Sequence, residues 1–440
     1  MRTERLLFMI MRSLRIPMNT TQDRQDINRV NPWRLSVLLH ITLAIFMVIM
    51  TGCKERDQNA NDETAEMSGE TSGETSGEMS GETSGETSGE MSGDPNTPSE
   101  GAPTVTAEST YTVLEDLDIT FAEGLAHNET SESPFAAPLK LDVYYPDSST
   151  ANRPVFMFIH GGGFTGGTKT KPEIVEMANY FASRGWVFAS IDYRTTEELC
   201  DSEKMPACED KLRSMAQDGP DAFISFYQGI APRAWVEFIL AQQPPSLKVL
   251  QQGIAQYAAQ RDAKAALRWL VANANTYNIN ADYIAVGGAS AGAITTIALG
   301  ISNQDDFRDE ISADDDPTLS TTNLDVTYDV KSMIYFWGSN AKMDLFEAVY
   351  GLEQYDRYDS ADPELFLGHG TANDPVTPYE EALELQSIYD DLGLYSELKT
   401  LLLPNGNPAG HGAWNAVVDG KGLSELTFDF LVARQALNLE

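Results

Sequence analysis

The chain has few basic side chains for its length. Lys and Arg together number 30 among 440 residues, whereas Asp and Glu number 66, so the formal net charge is −36 at pH 7. Binding to a nucleic-acid backbone needs clustered cations that neutralise phosphates, and this balance argues against such a partner. An acidic surplus of this size is typical of a highly soluble surface. We therefore expect no nucleic-acid partner.

Cysteine is also scarce, with three residues in the whole chain. Cys53, Cys200 and Cys208 lack the paired Cys and His spacing of a zinc site, so we expect no metal ion. Cys53 ends an apolar stretch near the N-terminus, which leaves Cys200 and Cys208 as a close pair. In an oxidising compartment, such a pair is expected to form a disulfide.

The N-terminal segment, residues 1–53, has the pattern of an export signal. Basic residues precede an apolar run, 35–50, which small residues and Cys53 follow. A membrane span needs about 20 residues, so this run is short for one. Its end, Met-Thr-Gly-Cys, resembles a bacterial lipoprotein signal, although Met50 stands where Leu is more common. The resemblance implies lipidation of Cys53 and a lipid anchor in a bacterial cell-envelope membrane.

Two alternatives to a lipid anchor remain for this segment, namely an uncleaved membrane anchor and plain secretion. A long stretch precedes the apolar run, and Met18 is therefore an alternative start of translation. All of these interpretations place the remainder of the chain outside the cytoplasm.

Residues 54–110 are a low-complexity segment. From Met67 to Asp94 the chain repeats the tetrapeptide Met/Thr-Ser-Gly-Glu seven times, with Asp in the last position of the final copy. A four-residue repeat without an apolar face cannot bury a core. Gly and Ser make such a segment flexible, and regularly spaced Glu makes it repel itself. We predict a disordered acidic linker that tethers a folded domain at 111–440.

Short apolar runs alternate with helical patterns in this domain. Strand patterns occur at 139–145, 154–159, 186–191, 283–286, 330–337, 365–367 and 398–403. Helical patterns occur at 171–184, 262–277, 379–392 and 423–436. Near-continuous apolar strands separated by helices indicate an α/β fold with a mostly parallel sheet covered on both faces. Residues 198–260 interrupt the alternation, and we predict an insertion there that is rich in helix.

The sequence Gly288-Ala289-Ser290-Ala291-Gly292 follows a predicted strand and begins a predicted helix. A sharp turn between a strand and a helix projects a serine hydroxyl above the edge of a sheet, and small flanking residues permit close approach of the backbone. The motif occurs by chance in glycine-rich sequences, but the strand–turn–helix context makes it specific. We predict that Ser290 is a nucleophile.

A second glycine-rich turn, His160-Gly161-Gly162-Gly163, ends another apolar strand. Glycines allow backbone N–H groups to face the negative oxygen that develops during acyl transfer. The alternative is an ordinary turn at the end of a strand. Together with the serine motif, the glycine run favours an oxyanion hole.

A serine hydroxyl is a poor nucleophile unless a base accepts its proton. The chain has five histidines. Three of them belong to other predicted features: His40, His127 and His160. His369 and His411 therefore remain as candidates for the base, and Asp374 is placed to orient one.

These residues together resemble the α/β-hydrolase superfamily. The resemblance is closest to bacterial carboxylesterases with a His-Gly-Gly-Gly motif, which include hormone-sensitive-lipase-like and feruloyl/acetyl-xylan-type esterases. It covers about residues 112–440 except the insertion. It implies an α/β-hydrolase fold with the chain order nucleophile, acid and base, here Ser290, Asp374 and His411. It also implies a structural role for His369.

The same resemblance assigns the oxyanion hole to the backbone N–H groups of Gly162, Gly163 and Ala291. The chain departs from the family at Ala289, where many relatives carry Asp or Glu. A further departure is one additional residue between His369 and the acid. The insertion replaces a short connection, so the resemblance implies nothing about the shape of the substrate pocket.

The activity implied is hydrolysis of carboxylic esters, small or polymer-borne, through an acyl-enzyme and without a metal ion or organic cofactor. A serine peptidase of the same fold is an alternative, although it would usually bring a large gating domain. A catalytically silent surface-binding module is a second alternative, although such a protein need not keep all three catalytic groups. The sequence gives no indication of oligomeric state.

Three weaker features have two interpretations each. The aromatic and aliphatic side chains of the insertion either form a lid over a pocket or pack on the main domain; they are Phe223, Phe226, Tyr227, Trp235, Phe238 and Ile239. Acidic residues at 305–316 favour a solvated loop over a calcium site, because the ligand spacing of an EF-hand is missing; they are Asp305, Asp306, Asp309, Asp314, Asp315 and Asp316. Trp414 either contacts substrate or covers the last loop.

Overall fold

The structure is a computed structural model that describes residues 101–308, 310–340, 343–352 and 356–440. The predicted signal, Cys53 and nearly all of the predicted linker lie outside the described residues, and so does Asp309. Among the helices within these ranges, we find none with the length and apolar character needed to cross a bilayer.

The strands divide into one large sheet and two small ones. In chain order they are β1 (Thr104–Val105), β2 (Val113–Ala126), β3 (Phe135–Pro146), β4 (Arg153–Ile159), β5 (Val187–Ile191), β6 (Ile279–Ala289), β7 (Val330–Phe336), β8 (Glu364–Gly370), β9 (Ser396–Leu401), β10 (Val417–Val418), β11 (Lys421–Gly422) and β12 (Asn438–Leu439). The large sheet has the order β2-β3-β5-β4-β6-β7-β8-β9. β2 and β3 pair antiparallel, as do β3 and β5, and every other pairing in this sheet is parallel.

Helices connect most of the strands. In chain order they are α1 (Pro172–Ala182), α2 (Pro206–Asp218), α3 (Pro220–Phe226), α4 (Arg233–Ala241), α5 (Leu247–Ala272), α6 (Ala274–Tyr277), α7 (Ala291–Ile301), α8 (Asp344–Tyr350), α9 (Tyr379–Leu392) and α10 (Leu423–Arg434), with 3₁₀ turns at Thr196–Glu198 and Pro317–Thr321.

The central strand β4 shows how the two faces of the sheet are buried. Alternate side chains of a strand point to opposite faces. Val155, Met157 and Ile159 therefore join a core cluster with α5, α7 and α9, whereas Phe156 and Phe158 join a second cluster with α1 and α10. All five side chains are buried. This arrangement confirms the predicted mostly parallel sheet covered by helices on both faces.

Two elements depart from the sequence pattern. No strand was expected at β2, because much of its first half is polar and faces solvent. A helix was expected at 262–277, but α5 begins at Leu247, and the chain breaks at Asn273 before the short helix α6. The long helix is polar yet mostly buried, so its hydrophobic periodicity is weak.

Buried charges on α5 are paired with residues from other elements. The Arg194 guanidinium makes two-pronged contact with the Asp262 carboxylate, at 2.7 Å for the shortest pair, and it also donates to the Leu125 carbonyl. Arg261 pairs with Asp316 at 2.9 Å. A buried charge without such a partner is strongly unfavourable, so these pairs allow a polar helix to lie inside the domain.

The insertion packs on the main domain. Phe223, Phe226, Tyr227, Trp235 and Ile239 are buried in the same core cluster as β4 and α7, and Phe238 packs against it. These side chains therefore pack on the main domain. Cys200 and Cys208 form the predicted disulfide, with their Cα atoms 5.4 Å apart.

Acidic residues of the segment 305–316 have protein partners. Asp306 pairs with Arg357 at 2.6 Å, and Asp305 pairs with Arg308 at 3.0 Å. Asp315 accepts hydrogen bonds from Ser312 and Gln228. Within the described ranges we find no group of His, Cys, Asp and Glu side chains that could hold a metal ion.

Replacing Arg194 by Met is expected to lower the free energy of unfolding by about 3–5 kcal/mol, because it leaves the Asp262 carboxylate buried without a partner. Chemical denaturation measures the change. Arg213→Met is the matched control, since Arg213 pairs with Glu209 on the solvent-exposed face of α2 and is expected to lose about 0.5 kcal/mol or less. Equal losses for the two variants would contradict this account of the buried pair.

Candidate active site

Four loops at one edge of the sheet carry the predicted site residues. Ser290 directly follows β6, and the glycine run follows β4, its neighbour in the sheet. Asp374 follows β8, and His411 lies in the loop after β9. The carboxyl ends of parallel strands meet at one edge of a sheet, so residues distant in sequence come together there.

The backbone at Ser290 is held in an unfavourable conformation. Its φ is 54° and its ψ is −120°, in a region that residues with a side chain rarely adopt. The Ser290 N–H donates to the Phe336 carbonyl at 2.9 Å. A Cβ atom on Gly288 would lie 2.3 Å from the backbone of Gly292, and one on Gly292 would lie 2.0 Å from the Ile159 carbonyl oxygen. Glycine at both positions is therefore required for this sharp turn.

The structure brings the three residues predicted for catalysis into one line of hydrogen bonds. Ser290 Oγ lies 3.0 Å from His411 Nε2, and His411 Nδ1 lies 2.8 Å from Asp374 Oδ2. Because the carboxylate accepts at Nδ1, that nitrogen carries the proton, and Nε2 is free to accept from the serine hydroxyl. The His411 side chain is 33% exposed and the Asp374 side chain 1%, so the imidazole is accessible while its carboxylate partner is shielded.

The Asp374 carboxylate accepts four hydrogen bonds. Oδ1 accepts from the N–H groups of Val376 and Thr377, and Oδ2 accepts from Thr377 Oγ1 at 2.9 Å as well as from His411. Burial on its own raises the pKa of Asp374. The hydrogen bonds and the nearby His411 outweigh burial and lower this pKa to about 2. Asp374 is therefore a carboxylate across the neutral range.

Thr377 is a residue of the site that the sequence analysis missed. Its hydroxyl lies 3.0 Å from His411 Nδ1 and donates to Asp374, so it contacts two of the three residues. The sequence signal is the spacing Asp-Pro-Val-Thr, in which an Asp side chain accepts backbone N–H groups two and three residues ahead. Such turns are common in loops, and only the position of His411 in the structure shows that this one belongs to the site.

The other candidate base lies elsewhere. His369 is buried, and its Nδ1 donates to the Gly370 carbonyl at 2.9 Å. Its ring packs near the rings of Tyr335 and Tyr379. Burial lowers the pKa of His369, so the neutral form is favoured. These contacts are those of a structural histidine.

The glycine run after β4 lies against the serine turn. A Cβ atom on Gly161 would lie 2.7 Å from the Ala289 carbonyl oxygen and 3.0 Å from Ser290 Cβ. Gly162 and Gly163 have φ values of +135° and +61°, which a residue with a side chain rarely adopts. Within the described part of the chain, the N–H groups of Gly162, Gly163 and Ala291 have no acceptor. Ala291 also begins α7, whose N-terminus carries partial positive charge.

The side chain of His160 holds this loop through a hydrogen bond and is itself held by Tyr193. The residue is buried, and its ring stacks on Tyr193 with the centroids 4.4 Å apart. Its Nδ1 donates to the Gly161 carbonyl at 2.8 Å, and the Tyr193 hydroxyl donates to the His160 carbonyl. Burial lowers the pKa of His160 to about 4, so the ring is neutral at neutral pH.

A groove of about 600 Å³ lies between α1, the start of α10 and the loop that carries Gly412 and Trp414. It is lined by Tyr180 and Trp414, by the carboxylates of Glu173, Glu176 and Glu425, and by Gly412, the residue after His411. One side of Trp414 packs near the rings of Trp337 and Phe158, so this tryptophan both covers the last loop and borders the groove.

Part of the chain matches a known protein family. Residues 141–216 and 250–348 match the model of the BD-FAE family. Together with the sheet order and the helices on both faces, this match shows an α/β-hydrolase fold. The matched ranges contain the glycine run and Ser290, whereas Asp374 and His411 lie beyond them. No curated protein matches the chain in sequence.

Several solved structures are similar in fold at low sequence identity. A truncated carbohydrate esterase from gut microbiota is 18% identical and aligns over 75% of this chain and 99% of its own, with a TM-score of 0.45. The butyrate-bound esterase of Thermogutta terrifontis is 19% identical over 67% of this chain and 89% of its own, with a TM-score of 0.43. Its propionate-bound form is 20% identical over 71% and 93%, with a TM-score of 0.44.

The lowered pKa of Asp374 makes stability depend on pH in a defined window. A carboxylate whose pKa falls from 3.8 to about 2 on folding contributes stability above pH 4, and this contribution is lost as the pH falls through 2. Its size is about 2 kcal/mol. The difference in unfolding free energy between the wild type and Asp374→Asn is therefore expected to shrink by about that amount between pH 5 and pH 2.

Urea denaturation at a series of pH values measures this difference. Asp390→Asn, on the exposed face of α9, is the control and is expected to show a nearly constant difference from the wild type. A constant difference for Asp374→Asn as well would show that the hydrogen bonds to Asp374 do not stabilise its charged form.

Proposed function

We propose that the protein is a serine carboxylic ester hydrolase that acts through an acyl-enzyme on small or polymer-borne esters. The observation that carries the proposal is the continuous line from Ser290 through His411 to Asp374, next to three N–H groups with no acceptor in the described chain. The match to the BD-FAE family, an esterase family of the α/β-hydrolase superfamily, supports the same reaction class.

In the acylation step, Ser290 Oγ attacks the ester carbonyl carbon while its proton moves to His411 Nε2. The carbonyl oxygen becomes negative and accepts hydrogen bonds from the N–H groups of Gly162, Gly163 and Ala291. The bond to the alcohol oxygen then breaks, and His411 returns the proton to that oxygen. The alcohol leaves, and the acyl group stays on Ser290 as an ester.

In the deacylation step, a water molecule gives a proton to His411 and attacks the acyl carbon. The same N–H groups hold the second tetrahedral intermediate, and its breakdown releases the acid and returns the proton to Ser290 Oγ. Asp374 stabilises the positively charged His411 that forms in each step. Its lowered pKa keeps it ionised for this task. All groups that react in these two steps belong to the chain, to the ester or to water.

The groove between α1 and α10 supports the polymer-borne part of the proposal. Gly412, the residue after His411, is one of its lining residues, and we propose that part of a polymeric substrate binds there. Aromatic faces and carboxylates line it, and these groups contact ring faces and accept hydrogen bonds from hydroxyl groups.

We also propose that the protein is exported and anchored to a bacterial cell-envelope membrane through a lipid on Cys53. The support for this location is the sequence pattern of residues 1–53 and the repeat linker, both of which lie outside the described residues. The disulfide between Cys200 and Cys208 is in keeping with an oxidising compartment.

Replacing Ser290 by Ala is expected to lower the rate of ester hydrolysis by at least about 1000-fold, since it removes the nucleophile. Initial rates on nitrophenyl esters from acetate to palmitate measure the effect, and the preferred acyl length reports the depth of the pocket. Ser320→Ala, an exposed serine, is the control. Wild-type turnover that persists in Ser290→Ala would overturn the proposal, and inactivity towards all esters would redirect it to peptide substrates.

Replacing Thr377 by Val is expected to lower kcat about tenfold, because the variant keeps the shape of the side chain but loses the hydrogen bond to the Asp374 carboxylate. KM is expected to change less than about twofold, since Thr377 acts on His411 and Asp374. Thr377→Ser keeps the hydroxyl and is expected to recover most of the rate. A loss of kcat in both variants would assign the effect to packing instead.

A further inference from the structure

The loop that follows β4 is held by hydrogen bonds at five consecutive carbonyl oxygens, from Gly161 to Thr165. Two of these carbonyls accept from donors within the loop region. His160 Nδ1 donates to the Gly161 carbonyl, and the N–H and hydroxyl of Thr165 donate to the Gly162 carbonyl. These contacts orient the peptide units that contain the N–H groups of Gly162 and Gly163.

The remaining three carbonyls accept from residues of the segment 196–252, which follows β5 and ends in the second turn of α5. This segment supplies one backbone donor and two side-chain donors. The pairs are Gln252 Nε2 to Gly163 O at 2.7 Å, Thr196 N to Phe164 O at 2.9 Å, and Lys204 Nζ to Thr165 O at 3.2 Å.

Gln252 has the shortest of these three contacts and the one nearest to the proposed oxyanion hole. Gly163 adopts a positive φ, and a glycine without a side chain is free to leave that conformation. The hydrogen bond from Gln252 to the Gly163 carbonyl fixes the peptide unit that follows Gly163. The hydrogen bonds from Thr165 to the Gly162 carbonyl fix the peptide unit that precedes it. Together they define the direction of the Gly163 N–H.

The helix that carries Gln252 is anchored on the main domain. The neighbouring side chain, Gln251, is buried, donates to the Leu199 and Cys200 carbonyls and accepts from the Ser202 N–H. Further along α5, Asp262 pairs with the buried Arg194. A donor on such a helix holds its acceptor more rigidly than a donor on a loop does.

We propose that Gln252 is a positioning residue, which orients the oxyanion loop by holding the Gly163 carbonyl, and that the insertion is thereby part of the catalytic machinery. This inference rests on the proposed esterase function for its effect on rate. Its structural part, the tethering of the loop by Gln252, stands apart from the reaction.

The first test replaces Gln252 by Met, which has a similar length but no donor. Loss of one neutral hydrogen bond that acts through the oxyanion hole is expected to lower kcat about tenfold. KM is expected to stay within about twofold, because the contact orients a transition-state donor and does not reach the substrate. Gln242→Met, an exposed position at the end of α4, carries the same substitution and is expected to keep the wild-type kcat.

A second variant, Gln252→Glu, covers the case in which Gln252→Met does not fold. An ionised Glu cannot donate to the Gly163 carbonyl, whereas a protonated Glu can. The kcat of this variant, divided by that of the wild type at the same pH, is expected to rise as the pH falls from 8 to 5. Glu197 and Lys204, which lie beside the loop at Gly166, are present in both proteins. A role in packing alone would leave this ratio constant.

Hydrogen–deuterium exchange of the intact protein provides a readout that needs no substrate. In peptides that cover residues 161–165, the Thr165 N–H, which donates to the Gly162 carbonyl, is expected to exchange at least about threefold faster in Gln252→Met than in the wild type or in Gln242→Met. Unchanged exchange, or an unchanged kcat in an active enzyme, would overturn the proposal. If the wild type hydrolyses no ester, the proposed function fails, and the exchange rates alone decide whether Gln252 holds the loop.

Discussion

The close approach of two backbone turns is the constraint on which the site depends. The turn at Ser290 holds a non-glycine residue at positive φ, and it does so because Gly288 and Gly292 permit contacts that a Cβ atom would block. Gly292 in turn lies against the carboxyl end of β4, where the oxyanion loop begins. The nucleophile and the proposed oxyanion donors are therefore placed by the same contact between two adjacent parallel strands.

The loops after two further strands, β8 and β9, complete the site. The loops after β8 and β9 deliver Asp374 and His411 to the serine turn, and the hydroxyl of Thr377 joins the acid to the base. Asp374 is buried and accepts hydrogen bonds from four donors, one of which is His411, and these donors stabilise its charge. An accessible His411 next to a shielded Asp374 suits the proposed reaction, in which His411 exchanges protons with substrate and water.

The insertion is built into the domain through polar contacts as much as through apolar ones. Its aromatic side chains belong to the main core, while α5 carries buried charges that pair with residues on the loop after β5 and on the acidic segment. The disulfide closes the start of the insertion at the point where Gln251 contacts the backbone. These contacts give the loop after β4 a rigid neighbour.

Much of this architecture was predictable from the sequence because it depends on local patterns. Apolar runs of strand length predicted β4 to β9, and the helix at 379–392 agrees with α9 to the residue. Glycines at fixed spacing predicted both turns. The sequence patterns missed β2 and the start of α5. The polar residues of β2 are accommodated at an edge of the sheet. Those of α5 are accommodated by buried ion pairs with residues far away in the sequence, which a local pattern does not show.

The sequence by itself determined which residues are chemically able to act, namely the serine between two glycines, the glycine run and the few histidines. It left two histidines open as the base until family resemblance separated them. Only the tertiary structure placed His411 against Ser290, gave Thr377 its two partners and put Gln252 on the Gly163 carbonyl. Except for the local bond between Thr377 and Asp374, those contacts join residues 34 to 121 positions apart. Their geometry follows from the order of strands in the sheet, which local sequence patterns do not encode.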